Sequence, residues 1–165
     1  MAIVGYPPPF ENEPGHDLTY QAKCGLLTPP QLPRTLIADM AGGEKAAAEG
    51  LALLLAREGG KGAACALVAL SDAAEYMAEP FLKGLSSRQG PLGGGLAEYN
   101  IYQAHEGWVA VAALEPHFKK RMKEALGFGG NSPDELRPFF ATRTAKAWEK
   151  WAEEHDLPIV AIVSD

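Results

Sequence analysis

The sequence has few cysteines, no long apolar run and no excess of basic residues. Its two cysteines, Cys24 and Cys65, are too few for a disulfide framework, and their spacing does not suit a paired-cysteine metal site. We therefore predict that both are small, reduced and buried side chains. The sequence also lacks an HExxH motif, and its histidines have no spacing suited to zinc, so we predict no resident metal.

No window approaches 18 consecutive apolar residues, and the N-terminus lacks a basic stretch followed by an apolar signal core. These two absences predict a soluble, cytoplasmic protein with no membrane partner. The chain carries 15 basic and 21 acidic residues, a net charge of −6, which predicts no nucleic-acid partner. Hydrophobic residues make up 47% of its 165 positions, enough to fill one medium core or two small ones.

The first half of the chain combines a proline-rich stretch with helical patterns. Proline at high density over residues 7–34 prevents long helices and regular sheets. The expected elements are a short helix at 18–24, a long helix at 40–57 ending at Gly59, a strand at 64–70, and a helix capped by Asp72 and disturbed by Pro80.

The second half predicts a small α+β arrangement. Residues 86–98 are rich in Gly, Ser and Pro and resemble a linker. A hairpin pattern follows at 99–103 and 108–114, then helices beginning near Pro116, Pro133 and Thr144, and a strand at 159–163. We therefore predict an α/β protein with a first domain at 1–85, a linker at 86–98 and a small α+β domain at 99–165.

Asp39 is the most informative single residue. It precedes a long helical pattern and is followed closely by Gly42 and Gly43, which would let a ligand or another backbone approach. An acidic side chain at a helix start also interacts favourably with the helix dipole. From spacing alone, the simpler interpretation is that Asp39 is only a helix N-cap.

Two more titratable residues stand in positions that suit chemistry. His16 lies in a stretch flanked by Pro and Gly, where an imidazole can reach a ligand and titrate near neutral pH; it could equally bond a neighbouring backbone group. Glu115 lies between a strand pattern and the helix that begins at Pro116. Its simpler role is that of a carboxylate at a helix start.

Several of these segments together resemble one protein family. The motifs are Gly15-His16-Asp17-Leu18, Ala38-Asp39-Met40-Ala41-Gly42-Gly43, Gly59-Gly60-Lys61-Gly62, the run from Val109 to Pro116, and Phe140-Ala141-Thr142-Arg143-Thr144 with Trp148. Their order and spacing are similar to those of the family III CoA-transferases and α-methylacyl-CoA racemases. The resemblance extends over roughly residues 3 to 163.

The resemblance implies a partial form of that family's fold. Family members are more than twice as long, and the nucleotide-binding first third of Rossmann type and the final segment have no counterpart here. Residues 1–85 would be the helical, Rossmann-like remnant of the large, CoA-binding domain, and 99–165 the small domain. The resemblance also implies an interlocked homodimer.

Roles for particular residues follow from the same resemblance. In the racemases, the His and the Asp at the positions of His16 and Asp39 are acid/base groups on opposite faces of the substrate's α-carbon. The glutamate at the position of Glu115 comes from the partner subunit and supports the catalytic His. Gly42 and Gly43 would lie against the CoA thioester, which is the substrate, and no resident cofactor is implied.

Three functions therefore remain open. The chain could be an isomerase that moves the α-proton of a 2-methylacyl-CoA. It could be a CoA-transferase with Asp39 as nucleophile, because the transferases use the aspartate at that position to form acyl intermediates. It could also be a truncated, non-catalytic dimeric scaffold.

Overall fold

The computed structural model describes residues 1–127, 129 and 132–163 as a mixed α/β structure. It divides into two compact units, Met1–Leu82 and Lys83–Asp165, which we call the first and second units. Among the described residues, the helices are all too short or too polar to cross a lipid bilayer.

The first unit is a two-stranded parallel sheet with three helices. Its elements are β1 (Ala2–Val4), α1 (Asp17–Lys23), α2 (Ile37–Glu58), β2 (Leu67–Ala69) and α3 (Leu70–Leu82). Ala2 pairs with Leu67 and Val4 with Ala69. Parallel strands cannot be joined by a tight turn, and here α1 and α2 form the crossover.

Tyr20 is the largest fully buried side chain of the first unit. Its ring meets that of Tyr6 edge to face, with centroids 5.1 Å apart, and both pack on Ala38 and Ala74. Gly42 is buried where α2 crosses α3, and a Cβ there would collide with the Leu70 side chain. Small residues therefore set the close approach of these two helices.

Several predicted boundaries in this unit are wrong. Asp39 is not the N-cap of α2: Leu36 holds that position, and the helix begins two residues before Asp39. Likewise, α3 begins directly after β2, which places Asp72 inside its first turn. Pro80 lies within α3, and the helix continues past it to Leu82. Proline has no N–H, so one carbonyl of the preceding turn lacks its helical donor. This side of α3 is exposed, and water can donate a hydrogen bond to that carbonyl.

The prediction that both cysteines are buried is also wrong. Cys24 is half-buried at the end of α1, but Cys65 is exposed. Cys65 lies in the irregular segment before β2, outside the packed helices. Burial raises the pKa of the Cys24 thiol, and the nearby Glu75 carboxylate adds to that effect.

The second unit has a three-stranded antiparallel sheet in the order β3–β4–β5. Its elements are β3 (Tyr99–Gln103), β4 (Trp108–Ala112), α4 (Pro116–Leu126), α5 (Pro133–Phe140), α6 (Ala145–Glu154) and β5 (Ile159–Ala161). The predicted hairpin is confirmed, with Tyr99 opposite Ala112 and Gln103 opposite Trp108. The predicted starts of α4, α5 and α6 are confirmed as well.

Aromatic rings fill the core of the second unit. The Tyr102 and Phe140 rings stack with centroids 4.5 Å apart, and Trp148 packs on Phe140 while donating its Nε1–H to the Phe140 carbonyl at 2.8 Å. The Tyr102 hydroxyl donates to the Ala97 carbonyl at 2.7 Å. Both polar groups are therefore satisfied inside an apolar core.

The glycine-rich segment predicted as a linker folds within the second unit. A wide turn at Pro91–Gly95 precedes β3, and the Asn100 amide of β3 donates to the Gly94 carbonyl at 3.0 Å and to the Leu96 carbonyl at 3.3 Å. Gly94 has a φ of +99°, which favours glycine. The division of the chain at 86–98 into two domains and a linker stays a prediction.

Candidate functional site

His16 is the N-cap residue of α1, and its side chain is exposed. The Thr19 hydroxyl accepts a hydrogen bond from the His16 N–H at 3.0 Å and donates to the His16 carbonyl at 2.8 Å. These bonds fix the backbone of His16 at the start of the helix.

Asp17, the next residue, is buried and caps a different helix. Its Oδ2 accepts hydrogen bonds from the N–H of Ala38 at 2.7 Å and of Asp39 at 3.0 Å. Ala38 and Asp39 are the second and third residues of α2, so their N–H groups have no carbonyl acceptor within that helix. The carboxylate therefore plays the part of an N-cap from 21 positions away, and this explains why α2 needs no local cap.

The amide of Gln21 holds the other oxygen of Asp17. Its Nε2 donates to Asp17 Oδ1 and also to the Thr35 carbonyl at 3.1 Å. Gln21 is itself buried, one helical turn after Asp17. The start of α1 and the chain entering α2 are thus joined by one buried hydrogen-bond network.

Asp39 carries an exposed carboxylate in the first turn of α2, where the helix dipole favours negative charge. Its backbone N–H is bonded to Asp17, the sequence neighbour of His16. The structure therefore brings the segments that bear His16 and Asp39 together, with both side chains exposed. Whether these two groups act on a substrate stays a prediction.

Tyr20 explains why a glycine precedes His16. A Cβ added at Gly15 would lie 2.5 Å from the Tyr20 ring, and one at Gly5 would lie 2.5 Å from the Tyr20 hydroxyl oxygen. Burial raises the pKa of Tyr20, and the nearby Tyr6 and Asp39 raise it further. Tyr20 is thus a neutral side chain at neutral pH that packs beneath the His16 segment.

The two glycines predicted to bind the CoA thioester have different surroundings. A Cβ on Gly42 would point at Leu70 and Ala73 of α3. The absence of a side chain at Gly42 therefore allows α2 to pack closely on α3. Gly43 is exposed, with nothing within 4 Å of an added Cβ. The predicted contact of both residues with the substrate stays a prediction.

Glu115 belongs to the second unit. It is the N-cap residue of α4, its side chain is exposed, and its carbonyl accepts the Lys119 N–H at 3.0 Å. This agrees with its simpler role at a helix start. Its predicted support of His16 across a dimer stays a prediction.

A cavity of about 370 Å³ lies beside α1 in the first unit. Its lining includes Tyr6, Lys23, Ser71 and Glu75. The Lys23 ammonium lies 4.3 Å from the centroid of the Tyr6 ring, and a hydrogen bond with Tyr6 raises the pKa of Lys23.

The described residues contain no group of three His, Cys, Asp or Glu side chains arranged to hold a metal ion.

The roles of Asp17, Gln21 and Tyr20 are not predicted by the sequence patterns. One local signal was present: Asp17 and Gln21 are four residues apart, the spacing at which side chains meet on a helix. The partners on α2 lie too far away in sequence for any pattern to indicate them.

Comparisons with known proteins agree on one family. The sequence model of the family described as "CoA-transferase family III" matches residues 1–164 of this chain. Among solved structures, the hypothetical protein Rv3272 from Mycobacterium tuberculosis aligns with a TM-score of 0.78 and 22% identity, covering 99% of this chain and 52% of that one. A CaiB/BaiF family protein from Brucella suis aligns with a TM-score of 0.63 and 21% identity, covering 98% and 52%. No curated protein matched, and the chain spans about half the length of these solved relatives.

Proposed function

The chain belongs to CoA-transferase family III, and from this we propose that it acts on an acyl-CoA as a racemase or epimerase, moving the α-proton of a 2-methylacyl-CoA. The observation that carries the proposal is the Asp17 carboxylate, which bonds the N–H of Asp39 and directly follows His16 in the chain. This bond joins the segments that carry His16 and Asp39, whose exposed side chains are of the types that accept and donate protons, and it supports the proposal of a two-base proton transfer.

The reaction uses each group once. One of the pair, His16 or Asp39, removes the α-proton, and the C–H electron pair moves into the thioester carbonyl to give an enolate. The conjugate acid of the other group returns a proton to the opposite face, which inverts the carbon. Imidazole and carboxylate each accept a proton, and their conjugate acids, imidazolium and carboxylic acid, each release one, so the same pair serves both directions when one group starts protonated and the other does not.

Exchange of the α-proton tests this proposal directly. We expect a 2-methylacyl-CoA incubated with the protein in deuterated water to gain deuterium at the α-carbon. His16→Ala and Asp39→Asn should each lower that rate by roughly 10²- to 10⁴-fold, the usual contribution of a positioned acid or base. Asp72→Asn is the matched control, since Asp72 is an exposed carboxylate in the first turn of α3. Equal rates for Asp39→Asn and Asp72→Asn would argue against the proposal.

A CoA-transferase reaction is the second candidate, favoured by the exposure of the Asp39 carboxylate. Here an Asp39 oxygen attacks the thioester carbonyl, the C–S bond breaks, and CoA leaves as a thiolate that takes up a proton. The product is a mixed anhydride on Asp39. Hydroxylamine would convert it to a hydroxamate, detectable by mass spectrometry.

The two candidates differ in their need for His16. The transferase step predicts that His16→Ala still forms the hydroxamate at Asp39, whereas α-proton exchange is lost in that variant. A chain that gives neither product would fit the non-catalytic scaffold.

A further inference from the structure

A cleft with a volume of about 500 Å³ lies in the second unit, between α5 and the turn that joins β3 to β4. Small-molecule sites have volumes in the range of about 300–1,000 Å³. The polar residues of its lining are Gln103, His105 and Arg137. The other lining residues are Ala104, Trp108, Pro138 and Ala141. We call this cavity the α5 cleft.

Hydrogen bonds hold the turn side of the α5 cleft in place. The His105 N–H donates to the Arg143 carbonyl at 2.8 Å, and the Ala145 N–H donates to the Glu106 carbonyl at 2.9 Å. Both bonds join the turn to the chain at the start of α6. A ligand would therefore meet a wall that is already formed, which lowers the entropic cost of binding.

Trp108 and Gln103 place a flat aromatic surface beside a hydrogen-bonding group. The two residues lie directly opposite each other on β4 and β3, so their side chains share one face of the sheet. The Trp108 side chain is 47% exposed, and an exposed indole is a surface on which a planar base stacks. The Gln103 amide has donors and an acceptor, which is what the edge of a nucleobase requires. His105 adds a ring that donates or accepts a hydrogen bond.

Arg137 gives the α5 cleft a positive charge. The chain has a net charge of −6, yet among the described residues the lining of this cleft contains a guanidinium and no carboxylate. Asp134, outside the lining, pairs with Arg137 Nε at 2.9 Å. Both side chains of this pair are exposed, so solvent weakens the pair. A phosphate can compete with Asp134, because a guanidinium binds phosphate through two parallel hydrogen bonds.

We propose that the α5 cleft binds a mononucleotide, with the base stacked on Trp108, its edge bonded to Gln103 and the phosphate bound by Arg137. The combination of groups determines this class of ligand. A simple anion would make no use of the indole, and an uncharged aromatic molecule would make no use of the guanidinium. The site belongs to the second unit alone, and the proposal is independent of the reaction at His16 and Asp39.

Calorimetry on the full 165-residue chain with adenosine 5′-monophosphate tests the proposal. We expect a dissociation constant of about 0.1–1 mM. Adenosine and inorganic phosphate should each bind at least about tenfold more weakly, because each lacks one part of the contacts. In NMR spectra, the nucleotide should shift the indole N–H signal of Trp108 more than the signals of Trp148 and Trp151.

Single substitutions locate the nucleotide. Arg137→Gln and Trp108→Leu should each weaken its binding by about tenfold or more. Asp134→Asn should tighten binding by about threefold, because it removes the carboxylate that competes for Arg137. Arg88→Gln is the matched control for loss of a positive charge and should leave binding unchanged. Arg88 is an exposed arginine of the second unit that does not line the cleft.

Three results would overturn the proposal. One is the absence of adenosine monophosphate binding at ~10 mM. Another is binding of adenosine or inorganic phosphate as tight as that of the nucleotide, which would mean that the indole and the guanidinium do not act together. The third is unchanged nucleotide binding in Asp134→Asn, a variant that keeps the proposal testable even if Arg137→Gln fails to fold.

Discussion

The Asp17 carboxylate accepts a hydrogen bond from the backbone N–H of Asp39 at 3.0 Å, across 22 positions of sequence. One buried side chain at the start of α1 thereby caps the start of α2. The backbone positions of His16 and Asp39 depend on the Asp17 carboxylate. Both oxygens of this carboxylate accept hydrogen bonds from groups within the protein.

Asp17→Ala should destabilise the protein by about 1–3 kcal/mol, because it leaves the N–H groups of Ala38 and Asp39 without their acceptor. Urea unfolding measures the change. Asp134→Ala is the control: Asp134 is an exposed residue in the first turn of α5, paired with Arg137 at the surface, and should cost at most ~1 kcal/mol. Equal losses for the two variants would contradict the capping role of Asp17.

Adjacent glycines of α2 should respond oppositely to alanine. Gly42→Ala places a methyl group against Leu70 and should cost ~1–3 kcal/mol through overpacking. Gly43→Ala enters open space inside a helix and should stabilise by ~0.5–1 kcal/mol. Thermal unfolding of both variants checks this, and Leu70→Ala combined with Gly42→Ala should recover part of the loss from overpacking. Identical effects at the two positions would show that α2 does not pack on α3 as described.

Tyr102 should make the protein sensitive to alkali. Burial raises the pKa of Tyr102 above its ordinary value of about 10, so the unfolded chain loses this proton at lower pH than the folded one. The protonated Tyr102 hydroxyl therefore stabilises the folded state fully below pH 10. This contribution to the free energy of unfolding declines as the pH rises from 10 toward the pKa of Tyr102 in the folded protein. Tyr102→Phe should reduce that decline, at a cost of about 1 kcal/mol near neutral pH for the lost bond to Ala97.

Urea unfolding between pH 8 and about 11 tests the Tyr102 prediction. Tyr76→Phe is its control, since Tyr76 is 70% exposed and should leave the pH dependence unchanged. If the free energy of unfolding of Tyr102→Phe falls with pH as steeply as that of the unmutated protein, groups other than Tyr102 cause the sensitivity to alkali.

The predicted homodimer with shared sites can be tested by mixing variants. If Glu115 of one chain supports His16 of the other, a heterodimer of His16→Ala and Glu115→Gln contains one site with both native residues. Mixing two nearly inactive variants should then restore α-proton exchange to about a quarter of the unmutated rate. No recovery, despite chain exchange shown by mass spectrometry, would mean that Glu115 acts within its own chain or not at all.

Local signals account for most of what the sequence predicted correctly. Ser132 and Thr144 were expected to start helices, and their hydroxyls accept hydrogen bonds from the N–H of Glu135 at 3.4 Å and of Ala147 at 3.2 Å. These caps need only neighbours three residues away. Asp39 was assigned the wrong helix position because the cap of α2 comes from a distant residue.

The candidate site was predictable only in part. His16, Asp39 and Glu115 could be named from the resemblance, and the exposure of His16 and Asp39 agrees with a role outside the core. The supporting contacts of Asp17 and Tyr20 depend on packing between segments more than ten residues apart. No periodicity or spacing rule encodes such contacts.

The pairing of Ala2 with Leu67 carries a kinetic consequence. Closing that loop of 65 positions (2 to 67) costs about 1.4 kcal/mol more entropy than closing the 13 positions (99 to 112) of the β3–β4 hairpin. That difference corresponds to roughly a tenfold slower encounter of the strands. When the whole chain refolds from denaturant, the sheet of the first unit should therefore form after the hairpin of the second unit.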